Sequence, residues 1–157
     1  MRTDTGRTDT GQPKLIALDL GERRIGLAVS GPGGLALPAG HITRGNLARD
    51  VQQVIAAARD RQAGGIVVGI PYTLQGETGP SARLARGFIR ALRRAIADDS
   101  SLGVYEMDER FTSVEAEGLL RESGVQPSRD RAAVDEAAAV LILQRYLASR
   151  GGVSPTS

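Results

Sequence analysis

The stretch Leu15–Ser30 reads LIALDLGERRIGLAVS, in which two short apolar runs flank a polar turn that begins with glycine. Apolar runs of this length, bounded by glycine and polar residues, predict two β-strands, and the short connection predicts that they pair antiparallel. A third run, Leu35–Thr43, follows the glycine-rich turn Gly31–Gly34. The three strands are therefore expected to form an antiparallel meander.

Beyond the meander the hydrophobic pattern alternates between helix and strand. Helical spacing and capping signals predict helices over residues 47–62, with Asn46 as the N-cap, and over 81–97, 112–124 and 131–149. Short β-branched runs predict strands over 66–70 and 104–107. The order β-β-β-α-β-α-β-α-α is the ribonuclease H-like one. It predicts an α/β fold whose mixed five-stranded sheet has the strand order 3-2-1-4-5, with helices on both faces.

Length and composition limit the kinds of site that the chain can build. Its length of 157 residues predicts a single domain, over 14–149, and the polar ends without hydrophobic periodicity predict disordered tails over 1–13 and 150–157. With no cysteine and one histidine, disulfides and thiolate or histidine-cluster metal sites are excluded, and a metal would need oxygen ligands. No segment is apolar enough for a membrane span or a signal peptide, so we expect a soluble cytoplasmic protein.

Acidic residues occupy three positions where an unpaired carboxylate is costly to bury. Asp19 ends the first apolar run. Asp108 and Glu109 end the fifth predicted strand, and neighbouring strand residues point to opposite faces, so only one of them can join Asp19. Asp135, or equally its neighbour Glu136, begins a helix that is apolar on all sides and hence deeply buried. The pattern leaves both choices open.

Each acid taken alone also has a structural explanation, as a turn residue, a strand-end ion-pair partner or a favourable charge at a helix N-terminus. Taken together, carboxylates from two strand ends and one helix form the donor set that two Mg²⁺ or Mn²⁺ ions about 3.5–4 Å apart require. One such ion activates a water and the other stabilises the leaving oxygen. Phosphodiester hydrolysis by this route needs neither histidine nor cysteine.

An arginine-rich face is predicted on the second helix. Five arginines fall within a stripe roughly 100° wide on a helical wheel: Arg83, Arg86, Arg90, Arg93 and Arg94. The apolar residues expected on the opposite side are Leu84, Phe88, Leu92, Ala95 and Ile96. The stripe is either a solvated face or, as we prefer because like charges repel, a surface for a phosphate backbone. Neighbouring arginines that could extend it are Arg23, Arg24, Arg129 and Arg131.

Four ordered motifs resemble those of one bacterial family. They are DLGERRIGLAVS at Asp19–Ser30, GIP at Gly69–Pro71, DERFTS at Asp108–Ser113 and the pattern of the last helix between Asp135 and Leu147. They resemble the YqgF family of ribonuclease H-like, Holliday-junction-resolvase-like proteins, which are also described as pre-16S rRNA nucleases. The resemblance covers residues 14–148.

The resemblance implies a metal-dependent catalytic site made of Asp19, Glu109 and Asp135, with Asp108 as the substitute for Glu109. Further residues are implied as phosphate-binding or supporting contacts, namely Arg24, Arg110 and Thr112. Together with Arg23 and the arginines of the second helix, these form the predicted nucleic-acid-binding set.

The chain departs from the family pattern at three positions. Arg23 replaces a lysine and keeps its charge, whereas Gly31 replaces an aspartate and removes an acid. Thr73 replaces an asparagine in the glycine-proline loop, so that loop loses an amide that could contact substrate.

These features predict a metal-dependent endonuclease that acts on structured nucleic acid, processes the ends of precursor 16S rRNA and works with ribosomal particles as possible partners. A Holliday junction resolvase is the alternative within this class, and it would need a dimer to place two active sites. Because no dimer surface is visible in the sequence, monomer and homodimer both stay open. The alternative of another class is a non-catalytic nucleic-acid-binding factor in ribosome assembly or transcription. A sugar-kinase-like or actin-like ATPase is disfavoured, since those proteins need two such domains.

Overall fold

Strand-like and helix-like segments of the sequence form regular elements at the predicted places. The computed structural model describes residues 13–72, 75–109, 121–122 and 130–151. Its elements are β1 (Leu15–Leu20), β2 (Arg24–Ser30), β3 (Ala36–Thr43), α1 (Leu47–Asp60), β4 (Gly65–Ile70), α2 (Pro80–Ala95), β5 (Gly103–Asp108) and α3 (Arg131–Gly151). The side chain of Asn46 caps α1 by accepting a hydrogen bond from the Arg49 N–H at 2.8 Å, as predicted.

The five strands form one mixed sheet with the order β3-β2-β1-β4-β5, which confirms the predicted topology. The meander β1–β2–β3 is antiparallel, whereas β4 pairs parallel with β1 and β5 pairs parallel with β4. The carboxyl ends of β1, β4 and β5 consequently meet at one edge of the sheet, where ligands of open α/β sheets commonly bind.

Alternation along β1 explains why helices cover both faces of the sheet. Ile16 and Leu18 belong to a buried cluster that includes the apolar sides of α1 and α2. Leu15 and Ala17 point the other way and pack in a second cluster with α3. Asp19 follows the period of Leu15 and Ala17, so it belongs to the face that α3 covers.

Differences between predicted and observed elements are confined to their ends. The helix α3 continues to Gly151, past its predicted end at residue 149. The predicted helix over 112–124 falls outside the described residues except at positions 121 and 122, which are helical. Both predicted tails likewise fall largely outside them, and the tails remain predictions. No helix of the described ranges is long and apolar enough to cross a membrane.

Candidate active site at the carboxyl edge of the sheet

Two of the predicted carboxylates lie at the shared carboxyl edge of the parallel strands. Asp19 is the penultimate residue of β1. Glu109 directly follows β5, and its backbone N–H donates to the Ile70 carbonyl of β4 at 2.9 Å, which extends the parallel pairing by one step. The strand β4 lies between β1 and β5 in the sheet. The pairing of these three strands therefore fixes the positions of both acids.

The third carboxylate reaches this edge because α3 approaches the sheet very closely. Gly26 of β2 lies opposite Asp19 of β1 in the strand register. A Cβ atom at Gly26 would overlap the backbone carbonyl of Asp135, the fifth residue of α3. Only glycine permits this approach, and the approach places Asp135 over the end of β1.

Asp19, Glu109 and Asp135 line one cavity of about 610 Å³. The arginines that line the same cavity are Arg44, Arg83, Arg90 and Arg131. Glu109 is 4% exposed and belongs to the cavity wall, whereas Asp108 is exposed and does not line it. Glu136 also lies outside the lining, beside His41 at 3.9 Å. The geometry therefore groups the three acids that the resemblance implies.

The carboxyl group of Asp19 resists ionisation. Burial, reinforced by the neighbouring charges of Asp135 and Glu109, raises the pKa of Asp19 from 3.8 to about 7. Burial also raises the pKa of Asp135, although the nearby Arg24 and Arg131 oppose the shift. An ionised carboxylate at position 19 is thus unfavourable unless a positive charge joins the cluster.

The side chains fit a hard divalent cation in donor chemistry. Carboxylate oxygens are what Mg²⁺ and Mn²⁺ prefer, and the raised pKa of Asp19 marks a place where a cation would relieve repulsion. In the described part of the chain, however, no three acidic or histidine side chains stand grouped as a ready-made metal site. Two arginines hold the acids instead, with Arg145 Nη1 at 2.6 Å from Glu109 Oε1 and Arg24 Nη1 at 3.9 Å from Asp135 Oδ2.

The ion pair between Arg145 and Glu109 leads to a testable expectation. Replacing Arg145 with glutamine leaves a nearly buried carboxylate without its closest cation, so the metal-free protein is expected to lose about 1–3 kcal/mol of unfolding free energy. Added Mg²⁺ is expected to restore more stability to this variant than to the wild type, because the cation no longer competes with Arg145. Thermal denaturation with EDTA and with Mg²⁺ measures both effects.

A matched control for this comparison is Arg59→Gln, which breaks the exposed pair between Arg59 and Asp99 at 3.2 Å. Exposed pairs of this kind contribute about 0–1 kcal/mol, so little change and no metal dependence are expected. Equal responses of the Arg145 and Arg59 variants to Mg²⁺ would show that Glu109 takes no part in cation binding.

The arginine stripe of α2 divides into two groups, which corrects the prediction of one uniform face. Arg86 and Arg93 turn towards β5, where they lie 4.0 Å and 3.3 Å from Glu106. Arg86 also contacts the hydroxyl group and the ring of Tyr72. Arg83 and Arg90 line the cavity instead, and Arg94 is exposed and does not line it.

The apolar side predicted for α2 is also wrong at two residues. Leu84 is 76% exposed, and Ala95 is exposed as well. Ala82, Ala85 and Ile89 are buried instead. The buried stripe is rotated relative to the prediction because α2 packs against both α1 and β4, and the sequence does not fix that angle.

A buried ion pair beside the cavity escaped the sequence analysis. Asp50, in the first turn of α1, is 0% exposed and accepts hydrogen bonds from Arg44 Nε at 3.2 Å and from the Gly45 N–H at 2.8 Å. Arg44 Nη1 donates to the Gly21 carbonyl at 2.9 Å, which ties the turn after β1 to α1. The sequence feature that could have revealed this pair is the position of Asp50, which lies one helical turn before Val54 within the apolar stripe of α1.

The remaining predicted contacts have mixed outcomes. Arg24 lies beside Asp135 and Arg131 lines the cavity, whereas Arg23 is exposed. Gly31 does not line the cavity, and a Cβ there would lie 2.9 Å from Leu37 Cδ1, so the missing family aspartate concerns the β2–β3 corner. The predicted residues that lie outside the described ranges are Thr73, Arg110, Thr112 and Arg129.

Comparison with protein families decides the relationship that the motifs suggest. The model of the RuvX family, described as Holliday junction resolvase, matches residues 13–149. The chain belongs to the RuvX family. This membership confirms the resemblance to YqgF proteins drawn from the four motifs.

Curated relatives of this RuvX-family chain share about two fifths of its residues. A protein of Nocardia farcinica is 39% identical over 153 residues, which cover 93% of this chain and 83% of the relative. A protein of Synechococcus sp. is 40% identical over 152 residues, covering 96% and 93%. Both relatives carry the name "Putative pre-16S rRNA nuclease".

Solved structures show that the RuvX-family chain has the ribonuclease H-like fold. Thermus thermophilus RuvC in complex with a Holliday junction substrate matches with a TM-score of 0.54 at 14% identity, over 88% of this chain and 96% of that one. The Holliday junction resolvase of fowlpox virus matches with a TM-score of 0.53 at 10% identity, over 87% and 98%. At sequence identities this low, the similarity to these two structures shows a shared fold and nothing about activity.

Proposed function

We propose that the chain is a metal-dependent endonuclease that hydrolyses phosphodiester bonds in structured nucleic acid. The observation that supports this most strongly is the convergence of Asp19, Glu109 and Asp135 on one cavity that four arginines also line. Carboxylates attract divalent cations and arginines attract phosphates, so the cavity combines the two charges that phosphodiester hydrolysis requires. The nuclease names of the relatives agree with this assignment.

Three residues would hold the metal in this proposal, namely Asp19, Glu109 and Asp135. Three carboxylates are enough to bind two Mg²⁺ or Mn²⁺ ions if one of them is shared between the ions. Such ions supply an activated water and stabilise the leaving oxygen. Arg83, Arg90 and Arg131 bind phosphates of the substrate strand beside the acids. Arg145 and Arg24 orient the carboxylates of Glu109 and Asp135.

The proposed substrate is the precursor of 16S rRNA, cut near its ends during ribosome assembly in the cytoplasm. The names of several curated relatives support this choice. A second candidate is a four-way DNA junction, which the description of the family model favours. Ribosomal particles would be the partners in the first case, and a second copy of the chain in the other.

A cleavage assay separates these candidates. Radiolabelled precursor 16S rRNA and a synthetic four-way DNA junction are each incubated with the protein in Mg²⁺, in Mn²⁺ and in EDTA. We expect metal-dependent products from the RNA and none from Asp19→Asn. The matched control is Asp98→Asn, since Asp98 is an exposed acid outside the cavity, and this variant is expected to keep full activity.

Each other outcome changes the assignment. Products from the junction alone replace the rRNA nuclease with the resolvase. Binding of RNA without products in any metal replaces both with a non-catalytic assembly factor. Products that persist in Asp19→Asn mean that the site lies elsewhere in the chain.

A further inference from the structure

Two leucines at the rim of the cavity expose large apolar surfaces to solvent. Leu84 of α2 is 76% exposed and Leu47, the first residue of α1, is 48% exposed. Both line the cavity that holds the three carboxylates. Single exposed leucines are common, but two on separate helices at the mouth of one charged cavity form walls for a ligand.

Phe88 and Arg44 form the inner part of the same region. The Phe88 side chain lines the cavity between the helices and is otherwise buried. The guanidinium of Arg44 lies 5.8 Å from the centroid of the Phe88 ring and is held by Asp50 and by the Gly21 carbonyl. Because Arg44 is already fixed, little side-chain entropy is lost when it binds a ligand.

The chemistry of these walls selects a nucleobase as the occupant. A base offers two apolar faces and a polar edge, and its sugar links it to the phosphodiester backbone of the strand. Arg83 and Arg90 supply positive charge around the leucines, which suits an anionic strand better than an apolar peptide or a lipid chain. The whole cavity, which the three carboxylates also line, has a volume of about 610 Å³, within the range of about 300–1,000 Å³ that is typical of ligand pockets.

We propose that Leu47, Leu84, Phe88 and Arg44 form a base pocket that holds one unstacked base of the substrate strand next to the scissile phosphate. Apolar side chains commonly hold a base that has been turned out of its stack. The enzyme then acts where the strand has an unpaired nucleotide and disfavours a continuous duplex. This inference rests on the proposed nuclease function and specifies the substrate of that same site.

Binding of small RNA hairpins tests the base pocket. Three hairpins are compared by fluorescence anisotropy in Ca²⁺: one with a single-nucleotide bulge, one with an abasic bulge and one fully paired. We expect the wild type to bind the bulged RNA roughly ten-fold more tightly than the abasic RNA, as burial of about one apolar side chain's area contributes on this scale. Leu84→Ser is expected to lose this preference while its affinity for the abasic RNA stays unchanged.

The matched control is Leu35→Ser, which replaces a leucine of 59% exposure that does not line the cavity. Its preference for the bulged RNA is expected to stay at the wild-type value. Leu47→Ser tests the second wall independently, in case Leu84→Ser disturbs α2.

Several results would overturn the base pocket: equal wild-type affinity for bulged and abasic RNA, an equal loss for both RNAs in Leu84→Ser, or displacement of the RNA by an acidic peptide of matched charge. A parallel cleavage assay in Mg²⁺ keeps the two proposals separate. If the protein prefers the bulged RNA but cleaves no substrate, the nuclease proposal is rejected and the base pocket is retained. If it cleaves a substrate but binds bulged and abasic RNA equally, the base pocket is rejected and the nuclease proposal is retained.

Discussion

Replacing Asp19 with asparagine is expected to remove metal-dependent cleavage while making the metal-free protein more stable at pH 8. The loss of activity follows if a carboxylate that holds the cation is neutralised. The stabilisation of transition-state charge by a bound metal contributes several kcal/mol, and each 1.36 kcal/mol changes a rate ten-fold, so a loss of about 10³-fold is expected.

The gain in stability follows from the pKa of the same carboxyl group. Burial and two neighbouring carboxylates raise that pKa from 3.8 to about 7 in the folded protein. Between these values the folded chain keeps a proton that the unfolded chain has released, so wild-type stability falls as pH rises. The fall is at most about 1.4 kcal/mol per pH unit and amounts to about 4 kcal/mol above pH 7.

Denaturation with EDTA at pH 4, 6 and 8 measures this effect. Asp19→Asn lacks the titrating group, so its advantage over the wild type is expected to grow between pH 4 and 7 and then to level off. Added Mg²⁺ is expected to stabilise the wild type at pH 8 and to leave the variant nearly unchanged. Asp98→Asn serves again as the control. A variant that is less stable than the wild type at pH 8 would contradict the raised pKa of Asp19.

Replacing Gly26 with alanine is expected to damage both the fold and the site. The added methyl group would collide with the backbone carbonyl of Asp135, which cannot move aside as a flexible side chain would. The helix α3 must shift, and overpacking of this kind costs up to about 3 kcal/mol. Since a displacement near 1 Å can lower a rate about 10²-fold, cleavage is expected to fall by that factor even in molecules that stay folded.

Chemical denaturation and the cleavage assay together test this expectation. Gly87→Ala is the matched control for stability, because its nearest neighbour would be the Arg90 side chain at 3.7 Å, an ordinary contact. Alanine in place of glycine within a helix stabilises by roughly 0.5–1 kcal/mol. Wild-type stability and activity in Gly26→Ala would mean that α3 does not pack as closely on β2 as described.

The topology was predictable because it depends on local pattern and chain connection. Short links force the meander to be antiparallel, and helical crossovers force β4 and β5 to be parallel, so little freedom remains in the strand order. Leu15, Ala17 and Asp19 are spaced two residues apart, so spacing alone likewise assigns that acid to the same face of the sheet as Leu15 and Ala17. These inferences need no knowledge of how the helices are rotated.

The rest of the site depends on packing angles and registers that the sequence does not encode locally. Alternation separates Asp108 from Glu109, but only the pairing of β5 with β4 determines which acid lines the cavity. A helical wheel groups Arg86 and Arg93 with the other arginines of α2, yet Glu106 of the neighbouring strand binds both. Which of the three acids bind metal remains a prediction.

The position of α3 at the end of the domain has a consequence for the order of assembly. A ribosome makes β1 to β5 before α3, so a nascent chain can form the sheet with Asp19 and Glu109 while Asp135 is still missing. Until α3 docks, Ala17 and Val67 on the face it covers are open to solvent. The docking of α3 covers this face of the sheet and also completes the acidic cluster. A chain that ends before α3 therefore has neither a complete core nor a complete site.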